Sequence, residues 1–328
     1  LDTNVEQESV GEVIRREGSH INPDLLPNLL HDEVNLDDNV IRKFVELEDA
    51  YSLIKDPQKN DKVRALKVES VRTLTDERWL NDEIIHYILM RIQNSIKRQS
   101  KKLFKIFDPL FYDQLTKTDS GQLKYNFDRV PTYLLKDSGN ILEYKKLFFP
   151  MHVDGNHWIL VLVDLDENYI VSVDSLNKAN NAHIENIKSL IKDLRSKGEK
   201  EDASTPMITK APHPDWKGGV HQFNGHQCGV HLIMNVYRIL QNSPMDNIDG
   251  ELDKVRTRLY NMVINDWWRR EHPSITMNTR SRTRDLGSVS SNDPVFVESQ
   301  AKPMVQRQGL RSQSKSHGSL SAAEWDSL

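Results

Sequence analysis

The stretch "QFNGHQCGVHLIMNVYRIL", residues 222–240, contains Cys228, the only cysteine in the chain. The residues before the cysteine are polar and include a glycine, and those after it repeat apolar side chains with helical spacing. This pattern predicts a loop followed by a helix, with Cys228 in the first turn. Unpaired N–H groups and the positive end of the helix dipole favour the thiolate there. An inert buried cysteine is the competing interpretation, because free cysteines commonly pack in protein cores.

A reactive thiol needs a base, and the base needs a group that orients it. Within residues 147–176, two apolar, β-branched runs flank the polar turn "DLDEN", which is typical of a β-hairpin. The predicted register brings His157 close to Asp174 at the open end of this hairpin, where it would lie opposite residue 175. The alternative is a polar pair at a strand end with no catalytic role. Two further carboxylates are predicted to be solvated residues of the turn: Asp164 and Asp166.

An acyl-transfer site also needs hydrogen-bond donors for the oxyanion. Gln222 lies six residues before Cys228, on the loop that leads into the predicted helix. Its side-chain amide could therefore act together with the backbone N–H of Cys228. A solvated loop glutamine is the alternative.

A metal site is another interpretation of the same stretch, which contains several imidazoles close to the thiol. The spacing matches no established zinc pattern, and one helical turn cannot point all these side chains inward. We therefore expect neither a metal nor a cofactor. The side chains in question are His221, His226, Cys228 and His231.

Composition narrows the functional classes further. A net charge of -4 gives no reason to expect nucleic-acid binding. No apolar run approaches the roughly 18 residues that a membrane-spanning helix needs. We therefore expect no nucleic acid and no membrane as partners. A single cysteine cannot form an internal disulfide, which favours an intracellular location, the nucleus and/or the cytoplasm. A secreted effector that acts inside a host cell is the alternative.

Periodicity predicts the main elements outside the hairpin. Residues 1–37 lack a clear period and are expected to form a loose arm. Near-helical spacing predicts a helix within residues 39–59, and alternation predicts a strand over residues 68–74. Further helices are predicted over residues 75–98 and, with a glycine at its end, over residues 180–199.

Four segments in this order resemble the ubiquitin-like-protein-specific cysteine proteases, the SUMO protease family. They are "WLNDEII" (79–85), "NHWILVLVDL" (156–165), "YIVSVDSL" (169–176) and "QFNGHQCGVHLIMN" (222–235). The resemblance implies an α+β, papain-like cysteine protease fold, with helices around a mixed central sheet and the nucleophile at a helix N-terminus. It also implies a monomeric thiol protease that cleaves after the C-terminal Gly-Gly of SUMO or a related ubiquitin-like protein. Such an enzyme deconjugates the modifier from lysines and processes its precursor.

The resemblance assigns a role to each matching residue of the catalytic centre. His157 corresponds to the general base, Asp174 to the acid that orients it, and Cys228 to the nucleophile. Gln222 corresponds to the oxyanion donor. One position departs from the family, which usually has aspartate immediately before the cysteine, whereas this chain has Gln227.

The resemblance also implies how the modifier is bound. Trp79 and Trp158 match two indoles that close a narrow tunnel over the Gly-Gly tail. Glycine fits such a tunnel because any larger side chain would clash with its flat walls. Asp82 matches an acidic contact to a basic patch on the modifier, which would steer association more than it adds affinity.

The same fold also serves other activities, which remain as alternatives. These are a deubiquitinase or deneddylase, an effector-type isopeptidase, and a catalytically inactive module that binds a modifier. Related acetyltransferases usually have glutamate as the third member, so Asp174 argues against them. The predicted organisation is a partly helical N-terminal extension (1–60), a cysteine protease domain (61–275) and a disordered tail rich in Ser, Arg and Gln (276–328).

Overall fold

The computed structural model describes residues 18–54, 65–75, 77–116, 124–129, 141–197, 206–210, 222–244 and 248–273. The predicted C-terminal tail and the first 17 residues of the predicted arm lie outside the described residues.

The described residues form a five-stranded mixed sheet with the strands in chain order. The outer pairs, β1 with β2 and β4 with β5, are parallel, and β3 is antiparallel to both of its neighbours. The strands are β1 (Phe104–Ile106), β2 (Lys146–Val153), β3 (His157–Asp164), β4 (Tyr169–Val173) and β5 (Ile208–Thr209).

Strand β3 is the centre of the sheet, and all eight of its residues are buried. Its side chains alternate between two hydrophobic clusters, since successive residues of a strand point to opposite faces. Leu160 and Leu162 belong to one cluster, and Val161 and Val163 belong to the other. Burial on both faces explains why this strand has a continuous apolar sequence.

Helices cover both faces of the sheet, which confirms the predicted α+β class. They are α1 (Asp38–Val45), α2 (Val68–Arg72), α3 (Asp82–Ser95), α4 (Phe111–Thr116), α5 (Asn181–Lys197), α6 (Cys228–Gln241) and α7 (Leu252–Glu271). Helix α6 is buried along nearly its whole length and packs against β3 and α3. Helices α4 and α5 contribute to the cluster on the other face.

Three predicted elements differ from the structure. The helix predicted within residues 39–59 extends only over Asp38–Val45. Residues 68–74 were predicted as a strand but contain the helix α2, because Val68 and Val71 are both fully buried at a spacing that also fits a helical turn. The helix predicted from residue 75 begins only at Asp82. Asn81 sets this start, since its side-chain oxygen accepts the backbone N–H of Ile84 at 3.1 Å.

The described part of the N-terminal arm is packed, not loose. Ile21, Leu26 and Leu29 are buried in the same cluster as α6. The backbone N–H of His20 donates to the carbonyl of Leu240 at 2.9 Å. The prediction failed because these apolar residues follow no helical or strand period. The domain boundaries at 60 and 275 remain predictions.

The hairpin of β3 and β4 forms as predicted, but in a register that differs by one residue. Leu160 pairs with Val173, so a continuation of the ladder would bring Asp174 opposite Ile159. Residues that lie opposite each other share a face, and alternate residues of a strand share a face. Asp174 therefore lies on the face of His157. A shift of one residue would have placed it on the other face.

One carboxylate of the turn was assigned wrongly from the sequence. Asp164 is completely buried, forms an ion pair with Lys146 and accepts the backbone N–H of Glu167 at 2.9 Å. Asp164 is the last residue of β3, and its carboxylate makes both contacts inside the fold. Asp166, by contrast, has a half-exposed side chain and forms an ion pair with Lys145 at 2.8 Å.

Candidate active site

His157 begins strand β3 directly after a tight turn. Asp154 and Gly155 of this turn both have positive φ, 55° and 74°, and glycine adopts that conformation without a steric cost. The turn leaves His157 at the end of the sheet, where its Nε2 lies 2.6 Å from Oδ1 of Asp174. Both side chains are buried. The structure thus brings the predicted base and its orienting acid into direct contact.

Asp174 is held by two further donors. The Asn180 side chain donates to Oδ2 at 2.9 Å, and the backbone N–H of Leu176 donates to Oδ1 at 2.8 Å. Burial raises the pKa of Asp174, but the hydrogen bonds from His157, Asn180 and Leu176 outweigh burial and lower it. The carboxylate therefore remains charged and fixed in orientation.

Cys228 is the first residue of α6 and is 1% exposed. Nε2 of His157 faces Asp174, so Nδ1 is the ring nitrogen left for the thiol. Burial lowers the pKa of His157, but the hydrogen bonds and charges of Asp174 and Cys228 outweigh burial and raise it to about 9. The raised pKa therefore favours a protonated imidazole at His157 at neutral pH.

The loop before α6, residues 222–227, is tied to the end of β4. The backbone N–H of Gln222 donates to the carbonyl of Ser175 at 2.9 Å. The Ser175 hydroxyl donates to Oε1 of Gln222 at 2.8 Å, and Nε2 of Gln222 donates to the carbonyl of Asn224 at 2.7 Å. These contacts fix the amide plane of the predicted oxyanion donor. Its role in catalysis remains a prediction.

The start of α6 packs tightly against the segment that carries Trp79. A Cβ atom on Gly229 would lie 3.0 Å from the Cβ of Leu80 and 3.3 Å from Cδ1 of Ile85. Only glycine fits here without displacing those side chains. Gly229, the residue after Cys228, thus fixes the distance between α6 and the segment before α3.

Both predicted substrate-binding tryptophans are anchored at this segment. Nε1 of Trp79 donates to the carbonyl of Gly225 at 2.7 Å, and its side chain is 53% exposed beside the loop. Nε1 of Trp158 donates to the carbonyl of Leu80 at 2.9 Å, and Trp158 is only 5% exposed. The indoles are therefore held by neighbouring parts of the site, one at the surface and one inside it. Asp82 is partly exposed at the first position of α3.

Sequence reasoning missed Asn180, Ser175 and Asn224. Asn224 Oδ1 accepts the backbone N–H groups of His226 and Gln227 at 3.2 and 3.1 Å. This Asx-type turn has a local signal, since asparagine followed by glycine favours such turns. Asn180 and Ser175 carry no comparable signal.

The alternative metal site is only partly described. His221 lies outside the described residues. Among the described residues, no group of three or more His, Cys, Asp or Glu side chains is arranged to hold a metal ion. In the same part of the chain, no helix combines the length and the apolar character needed to cross a bilayer.

A thiol at a helix start, next to an imidazole that a buried carboxylate orients, places this fold in the class of cysteine peptidases. The model of the Ulp1 protease family, C-terminal catalytic domain, matches residues 78–266, more than half of the chain. The chain belongs to the Ulp1 protease family.

Several curated proteins are similar in sequence over this region. Ubiquitin-like-specific protease 1 of Saccharomyces cerevisiae is 25% identical over 206 residues, 61% of this chain and 30% of that protein. Ubiquitin-like-specific protease ESD4 of Arabidopsis thaliana is 28% identical over 174 residues, 50% of this chain and 33% of that protein. Sentrin-specific protease 2 of Homo sapiens is 22% identical over 191 residues, 58% of this chain and 30% of that protein. The chain thus matches about a third of the length of these relatives.

Solved structures confirm the predicted papain-like fold of the SUMO-protease type. The C-terminal Ulp1 protease domain in complex with Smt3, the yeast ortholog of SUMO, superimposes with a TM-score of 0.55 and 21% identity. The match covers 72% of this chain and 99% of that chain. Ulp1 with its catalytic cysteine oxidised to a sulfenic acid also superimposes with a TM-score of 0.55, at 23% identity over 72% of this chain and 98% of that chain.

Proposed function

We propose that the chain is a thiol protease that hydrolyses the bond after the C-terminal Gly-Gly of SUMO or a related ubiquitin-like protein. It would release the modifier from lysines and trim its precursor. The observation that carries the proposal is the 2.6 Å contact of His157 with Asp174, together with the influence of Cys228, at the start of α6, on the pKa of the same imidazole. Further support comes from relatives named as ubiquitin-like-specific and sentrin-specific proteases.

The geometry supports a two-step acyl transfer. The Cys228 thiolate attacks the carbonyl carbon of the terminal glycine, and the imidazolium of His157 gives its proton to the departing lysine amine. Water then attacks the thioester, with His157 as the base, and frees the thiol and the glycine carboxylate. Asp174 keeps the imidazole in one orientation throughout. The thiol supplies the nucleophile, so neither step requires a metal or a cofactor.

The oxyanion would be stabilised from the loop and the helix start. The backbone N–H of Cys228 is among the first four donors of α6, which have no carbonyl partner within the helix. The Gln222 amide, fixed by Ser175, supplies a second donor at the same loop. Trp79 and Trp158 would enclose the Gly-Gly tail, and Asp82 would contact a basic patch of the modifier. We place this reaction inside cells, where such conjugates occur.

Activity-based probes test the substrate class. The full chain would be incubated with vinyl-sulfone derivatives of SUMO, ubiquitin and a NEDD-type modifier. We expect a covalent adduct with the SUMO probe, and none with the variant Cys228→Ser. An adduct only with the ubiquitin or NEDD-type probe would replace the proposed substrate. No adduct together with retained SUMO binding would identify an inactive binding module.

A further inference from the structure

Arg256 is a buried cation on α7, 4% exposed, and it contacts the loop before Cys228. Its Nη1 donates to the carbonyl of Thr73 at 3.0 Å, and its Nη2 donates to the carbonyls of Arg78 at 2.8 Å and His226 at 2.9 Å. These acceptors belong to two separate parts of the site. Thr73 and Arg78 flank the segment that leads to Trp79, and His226 lies two residues before Cys228.

All three acceptors are neutral, so the guanidinium keeps its full charge. Among the described residues, no carboxylate lies within ion-pair distance of Arg256, and its Nε has no hydrogen-bond partner. Burial lowers the pKa of Arg256, while the charges of Asp253 and Cys228 raise it in part. Burying a cation without an ion pair costs free energy of folding, so we expect Arg256 to have a function that outweighs this cost.

Gln227 is neutral, so it adds no negative charge beside Cys228. Its side chain is 3% exposed, and its Nε2 donates to Oδ1 of the exposed Asp253 at 2.9 Å. Its Oε1 is buried and has no partner in the described residues. A carboxylate at position 227 would introduce a buried negative charge directly before Cys228 in the chain and beside the carboxylate of Asp253.

We propose that Arg256 is a positioning residue for the nucleophile. It joins the loop before α6 to the segment that carries Trp79, and its charge, which forms no ion pair among the described residues, stabilises the thiolate of Cys228. The proposal deepens the proposed function and partly rests on it. Among the charged and titratable groups nearby, His157 interacts with the thiol, Asp253 and His226 interact with the guanidinium, and Glu77 interacts with His226.

Alkylation of Cys228 by iodoacetamide tests the charge without any modifier substrate. The thiolate sulfur forms a bond to the methylene carbon and iodide leaves, so the rate reports the thiolate fraction. Cys228 is the only cysteine of the chain, so the full chain gives a single signal. A failure of the proposed substrate class would leave this measurement intact.

Two variants separate charge from positioning. Arg256→Lys keeps the charge but cannot reach the three carbonyls with two fixed arms. We expect its kcat on a modifier substrate to fall about tenfold or more, with the pH midpoint of alkylation changed by less than about 0.3. Arg256→Met removes both features, and we expect the midpoint to rise by about one pH unit.

Two further variants complete the test. Gln227→Glu, which preserves size, should also raise the midpoint, and it tests the charge if Arg256→Met does not fold. Arg258→Met is the matched control, because Arg258 lies on the same helix but contacts the carbonyl of Leu29. It should leave the alkylation midpoint unchanged.

Wild-type midpoints in Arg256→Met and Gln227→Glu would overturn the charge role, and full kcat in Arg256→Lys would overturn the positioning role. If both Arg256 variants lose kcat and melting temperature to the same extent, and both keep the wild-type alkylation midpoint, the role of Arg256 is purely structural.

Discussion

The Asn180 side chain donates to Oδ2 of Asp174 at 2.9 Å, while Oδ1 of the same carboxylate faces His157 at 2.6 Å. Asp174, the predicted orienting acid, is therefore itself oriented by a residue just before α5. Asn180 is buried and also contacts the hydroxyl of Ser172. We therefore predict that the rate of catalysis depends on Asn180, which contacts Asp174 but forms no hydrogen bond with His157 or Cys228 in the described residues.

Replacing Asn180 should impair catalysis through Asp174. Asn180→Ala removes a hydrogen bond to a charged group, which contributes about 1.5–3 kcal/mol, so we expect kcat to fall roughly tenfold or more. Asn180→Asp should cost more, because two carboxylates would then face each other. Steady-state kinetics on a modifier-fluorophore substrate would measure both. Equal rates in the two variants would contradict the electrostatic explanation.

Asp174→Asn should preserve the fold and lower kcat by several orders of magnitude, because the amide no longer fixes the imidazole tautomer. Asp166→Asn is the matched control, since Asp166 is a half-exposed carboxylate in the turn of the same hairpin. The same fluorogenic assay measures both variants. A comparable loss in the control would show that the hairpin, not the contact with His157, determines the rate.

Asp164→Asn should destabilise the protein without slowing catalysis. The substitution breaks the buried ion pair with Lys146. We expect a loss of about 2 kcal/mol in the free energy of unfolding, measured by urea denaturation. The kcat at a temperature where the variant is folded should match the wild-type value. An unchanged unfolding midpoint would mean that the ion pair contributes no stability.

The raised pKa of His157 predicts how stability depends on pH. Its folded-state pKa is about 9, above the ordinary value of 6.5. The stability that comes from protonating His157 in the folded state is therefore fully present below pH 6.5 and is lost as the pH rises through 9. Unfolding free energies of the wild type and His157→Gln should converge over this interval. A constant difference would show that the imidazole is neutral in the folded protein.

Removing residues 277–328 should leave catalysis intact. Its sequence is rich in Ser, Arg and Gln, and this composition predicts too little apolar surface to offset the entropy cost of ordering the segment. The rate on a minimal modifier-fluorophore substrate should change by less than about twofold. Loss of folding or activity would place the domain boundary further along the chain than 276.

The sequence by itself determined the elements whose signals are local. Helical spacing after Cys228 and the two runs around "DLDEN" predicted α6 and the hairpin, because amphipathic or apolar periods reflect burial within one element. The predicted triad of His157, Asp174 and Cys228 followed from these two elements and from the order of the family motifs along the chain. The near-symmetric hairpin also placed His157 and Asp174 at the same end, although the register differed by one residue.

Only the tertiary structure decided the contacts between elements distant in sequence. Arg256 reaches Thr73 and His226, and Ser175 holds Gln222, across separations that leave no periodic trace. Burial of Asp164 depends on Lys146 in another strand, so its turn-like sequence was misleading. Hydrogen-bond partners and the protection of a charge are properties of the packed chain. A local pattern can therefore locate Cys228 as the candidate nucleophile, but it cannot show which side chains hold the cysteine in place.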